Sequence, residues 1–135
     1  MAKGTINRIA SETGTTMLEF AAVLSILLSL TFAMVDFGRY VYANNIIQSA
    51  AQEGARAGVR PGGNIQEAVM AKILTLDPAK VSVSPHYSPD SEIRRTVQVD
   101  VTYEFRFITP FISAFASGPI ELHGTASMLM FPEAL

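Results

Sequence analysis

Glu19 is the one ionisable residue between Thr13 and Val35, and the run from Phe20 to Val35 carries no charge at all. A carboxylate one turn into such a run is costly unless it is paired or sits close enough to a membrane surface to reach water. Asp36 and Arg39 follow directly after the run, three residues apart, close enough on a helix to pair for a few tenths of a kcal/mol. Further on, Ala50, Gly54 and Gly58 recur at four-residue spacing with Ala51 and Ala55 beside them. A small-residue line of this kind lets another backbone approach closely, either a neighbouring helix or the chain's own sheet. The bulk opposite it is expected from the face that carries Tyr103 to Phe107. The two histidines, His86 and His123, stand in no metal-ligand spacing, and there is no cysteine. No serine has elbow glycines around it and no glycine loop could cradle a phosphate, so neither catalysis nor a cofactor is expected.

The element that positions these residues is a long helix. Thr15 to Val35 is 21 residues, about 31 Å of helix, which matches a hydrocarbon core of about 30 Å. A cleaved secretory signal has a shorter apolar core and a small-x-small exit, whereas here the run continues into Asp36-Phe37-Gly38-Arg39-Tyr40 without a break. The segment therefore reads as a retained membrane span. Lys3, Arg8 and the α-amino group precede it against Glu12 alone, which favours the N-terminus inside and the rest of the chain outside the cytoplasm. After Val35 the pattern turns amphipathic, with Tyr40, Ala43, Ile47, Ala50, Ala51 and Gly54 at three- and four-residue spacing. No proline occurs before Pro61-Gly62-Gly63, so one helix is expected from Thr15 to Val59, about 67 Å long.

The remainder supports a small α+β domain. Asn64 and Glu67 resemble a capping box opening a short helix from Ile65 to Leu74. Val97, Val99, Val101, Tyr103, Phe105 and Phe107 alternate with polar residues, the pattern of a half-buried strand. Val81 to Ser84 reads as a shorter strand and Ile120 to Met130 as a third. Pro85 to Arg95 is expected to be a polar loop, and Thr109 to Pro119 an apolar one. The fold expected is α+β: a long transmembrane and amphipathic helix, a short helix, and a three-stranded antiparallel sheet with one face against the helices. At 135 residues and a formal charge of −2, the chain has room for one compact unit and no basic face for nucleic acid.

Gly14-Thr15-Thr16-Met17-Leu18-Glu19-Phe20 resembles the processing site of type IV pilin-like proteins. Together with Asp36-Phe37-Gly38-Arg39 and Gln48 to Ala57, it is similar to the TadE-like pseudopilins of tight-adherence (Flp-type) pilus systems. The resemblance covers roughly residues 14–60, and it departs from the family at Ser25, where members often have a proline within the span. It implies a leader (1–14) removed by a prepilin peptidase, with Thr15 as the new N-terminus. It implies that Glu19 pairs with the Thr15 amine of a neighbouring subunit, and that Asp36 and Arg39 also touch other subunits. It divides the chain into that leader, a transmembrane half-helix (15–35), an extramembrane half-helix (36–60) and a globular domain (61–135). The function implied is a structural subunit, a minor pilin or pseudopilin of a pilus or type II-like secretion filament. Such a subunit is held in the inner membrane until it joins other pilins through the assembly machinery. Two further readings are an inner-membrane-anchored envelope scaffold that is never processed, and an anchored enzyme, which would need a polar pocket on the sheet domain.

Overall fold

The computed structural model describes residues 3–91, 94–109, 112 and 118–130, with side chains from Gly14 onward except at 90, 91 and 94. Its dominant element is α1 (Lys3–Gly58), one uninterrupted helix of 56 residues. The helix begins twelve residues ahead of the expected Thr15, inside the segment assigned to the leader. Residues 3–14 are poor helix formers, but each adds a hydrogen bond to an existing helix and none bears the cost of nucleation. Ser25 produces no break. Its hydroxyl donates to the carbonyl of Ala21 at 2.7 Å, and Ser29 and Thr31 bond back four residues in the same way. These hydroxyls are thereby satisfied within the helix.

The helix stops at Gly58, where Arg60 N–H turns back to the Ala57 carbonyl and Gly62 adopts a positive φ of 74°. Asn64 then caps α2 (Ile65–Lys72), its side chain accepting the Glu67 N–H. This second helix closes two residues before the expected Leu74, with Ile73 as its C-cap. A single 3₁₀ turn (Pro78–Lys80), capped by Asp77, leads into the sheet.

The sheet has the expected three antiparallel strands in the order β1 (Val81–Ser91), β2 (Arg94–Phe105), β3 (Ile120–Met130). The expected loop from Pro85 to Arg95 is corrected by the structure. β1 continues through both prolines, with Pro85 opposite Val99 and Pro89 opposite Arg95. β1 is an edge strand paired only with β2, so a residue without an N–H costs nothing where it faces away from its one partner. β2 starts three residues before Val97 and ends at Phe105, leaving Phe107 beyond it. Of the apolar connection after β2, residues 110–111 and 113–117 lie outside the described residues.

The inward face of β2 packs on the second half of α1 and on α2. Ile47, Val69, Ile73, Val97, Val99 and Val101 are fully buried, each contributing on the order of 1.5–3 kcal/mol by removal from water. The half of α1 after Asp36 and the residues that follow the helix thus share one core. β2 runs down α1 toward the span. From Val97 to Phe105 a strand travels about 26 Å, and from Gly58 to Tyr40 a helix travels about 27 Å. The two elements therefore stay in step along their whole contact.

Candidate functional site

Positions 14 to 35 face outward. None of the most apolar window of α1 is buried within the structure, and Phe20, Ile26, Leu30 and Met34 are all exposed. By length and composition this helix can cross a membrane. Gly14 and Thr15 lie in helical backbone, and space around Gly14 is open. Glu19 stands one turn after Thr15, exposed, with no hydrogen-bond or ion-pair partner among the described residues.

Asp36 behaves differently. Its side chain is 1% exposed, and both oxygens are used by the start of the β2–β3 connection. Ile108 N–H donates to Oδ1 at 3.1 Å and Thr109 N–H to Oδ2 at 2.8 Å. The Thr109 hydroxyl donates as well, and Arg39 reaches Oδ1 at 3.2 Å. Burial by itself would raise the Asp36 pKa, but these donors together outweigh it and hold the carboxyl below its ordinary range. The expected Asp36–Arg39 pair exists, yet it is the outer part of a larger arrangement. Arg39 is half exposed and its guanidinium also lies over the Phe105 ring, 5.4 Å from the centroid. Phe105 in turn meets Tyr40 and Phe107 edge to face at 5.9 and 5.3 Å.

The small-residue line at Gly54 and Gly58 is where α2 and β2 pack closely on α1. A Cβ on Gly54 would lie 2.7 Å from a Val69 methyl, and one on Gly58 would lie 2.8 Å from a Val97 methyl. The expectation that Tyr103 to Phe107 supply the bulk here is corrected: Val97, Val99, Ile65 and Val69 do so. Because β2 descends along α1, its aromatic end is already beside Tyr40 and Ala43, several turns nearer the span. On β3, Gly124 packs as closely on α1, where an added Cβ would lie 2.7 Å from the Ile47 carbonyl oxygen, and the Gln48 amide donates to the His123 carbonyl at 3.0 Å. The sequence marks Ile120 to Met130 as a strand without identifying this contact; a glycine in alternation with Leu122 and Ala126 is the available signal.

The outer face of the sheet is polar. Thr125 donates to Asp100 at 2.7 Å, and Gln98 and His86 lie alongside. The Thr125 hydroxyl, ahead of Gln98 and the two histidines, holds the Asp100 pKa low against partial burial. His123 stands beside Thr102 and Glu121. Among the described residues no group of three His, Cys, Asp or Glu could hold a metal ion.

No curated protein and no solved structure matches the chain. One family model does, described as TadE-like protein, over residues 14–56. The matched segment starts at Gly14, contains Glu19, Asp36, Arg39, Ala50 and Gly54, and ends within the packed half of α1, two residues before Gly58. Over that segment, about a third of its length, the chain is similar to the TadE-like family.

Proposed function

We propose that the chain is a structural subunit, a minor pilin or pseudopilin, of a tight-adherence-type pilus or type II-like filament. The observation that carries this reading is a single continuous helix with a wholly exposed apolar half at one end and a packed domain on the other. Apolar surface on that scale must be covered by lipid or by other helices. In this reading lipid covers it first, with the N-terminus inside and the domain outside the cytoplasm, and neighbouring subunits cover it after assembly. A prepilin peptidase cuts after Gly14, and Glu19 pairs with the Thr15 amine of the next subunit, so that one buried charge sets register. The chain has no catalytic role in this account.

Glu19→Ala and Gly14→Ala, scored in parallel for processing and for recovery in sheared surface filaments, test the mechanism. Loss of incorporation is expected for both, with Gly14→Ala also blocking the cut. Normal incorporation of both variants would reject it.

The second reading is a permanently anchored envelope scaffold. It draws on the continuity of α1 through Gly14 and Thr15, since helical backbone must unwind locally before a peptidase can cut it.

A further inference from the structure

The Asp36 hydrogen bonds fix the depth of a second segment. Because α1 is continuous, position along its axis follows residue number at about 1.5 Å per residue. With Thr15 to Val35 in the hydrocarbon, Asp36 stands at the plane where the helix leaves it. Ile108 and Thr109, whose N–H groups lie 3.1 and 2.8 Å from the Asp36 oxygens, are held at that same plane. The Ile108 side chain is 68% exposed there, and Phe37 on the adjoining turn is 66% exposed. Arg39, half exposed and about one turn further out, is at the level of lipid phosphates. From Ile108 to Ile120 the sequence has no charged residue, so no ion has to be desolvated where the chain meets lipid. The Asp36 carboxylate itself is screened from the hydrocarbon by its donors.

We propose that Ile108, pinned by Asp36 beside the exit of α1, is a second membrane contact seated in the interfacial region. Before assembly the domain thus stands with the Phe105–Thr109 end of β2 on the bilayer surface. The opposite end, where Tyr87 pairs with Val97 beside Gly58, is about 33 Å further along the helix axis. The occupant of this surface is lipid headgroup and upper acyl chain. This inference rests on the membrane-anchor part of the proposed function.

The chain has no tryptophan, so a single introduced indole reports without background. The full chain carrying Ile108→Trp, Leu27→Trp or Tyr87→Trp is reconstituted in phosphatidylcholine–phosphatidylglycerol vesicles, with and without lipids brominated near the headgroup end of the acyl chains. Ile108→Trp is expected to show blue-shifted emission and an intensity loss in brominated lipid approaching that of Leu27→Trp, with Tyr87→Trp unaffected. Quenching at Leu27→Trp but none at Ile108→Trp overturns the interfacial contact and leaves the anchor standing. No quenching at Leu27→Trp overturns the anchor, and this inference with it. Circular dichroism of each variant checks that the helix and sheet are retained.

Discussion

Asp36, one residue beyond the uncharged run, accepts the backbone N–H of Thr109 at 2.8 Å across 73 residues of sequence. That bond and its neighbour from Ile108 tie the segment just after β2 to α1 where its packed half begins. Removing the acceptor leaves two N–H groups without a partner. Asp36→Ala should therefore cost about 1–3 kcal/mol of domain stability, read by denaturant unfolding of the detergent-solubilised chain. Arg39→Ala removes only a half-exposed partner and should cost well under about 1 kcal/mol. Equal losses for the two would show that the ion pair, not the backbone clamp, is what matters.

The same clamp sets an acid dependence. Despite burial, the donors lower the folded-state pKa of Asp36 below its ordinary 3.8. Its contribution is therefore fully present above that ordinary value and is lost as pH falls through the lower folded value. Asp77 and Asp100 are also lowered, by the Ala79 N–H and by the Thr125 hydroxyl respectively, so they add to the same trend. Stability measured from pH 6 downward should fall in acid, and Asp36→Asn should flatten the decline without abolishing it. An unchanged slope in Asp36→Asn would contradict the assignment.

Glycine substitutions separate close approach from open space. At Gly124 a Cβ would lie 2.7 Å from the Ile47 carbonyl oxygen, part of a helix backbone that cannot move aside. Gly124→Ala should cost about 1–3 kcal/mol. At Gly54 the obstacle is a Val69 methyl in the core, and a similar loss is expected from Gly54→Ala. Gly38 has nothing within 4 Å, so Gly38→Ala should stabilise the helix by up to about 1 kcal/mol. Thermal unfolding of the three variants side by side checks the order.

The long helix, the alternation of β2, the span of β3 and the cap at Asn64 were all legible, because hydropathy period and capping chemistry are local properties of the chain. The extent of β1 was not. Pro85 and Pro89 read as loop formers until the sheet order makes their strand an edge. The partners of Asp36 were illegible for a different reason: backbone N–H groups at Ile108 and Thr109 carry no residue signature, and a charge at the end of an apolar run reads as a boundary. The start of α1 at Lys3 was missed because propagation from a long helix overrides weak local propensity. The small line at Gly54 and Gly58 was read as a site of close approach, but which strand residues fill it depends on how β2 descends along α1, which only the three-dimensional register fixes.

The most direct test of the account is the intact mass of the chain in two fractions, sheared surface filaments and extracted inner membrane. The account predicts a chain beginning at Thr15 in the filaments, drawn from a membrane pool that has also lost residues 1–14. A chain confined to the membrane fraction, with Met1 to Gly14 still attached, would contradict it.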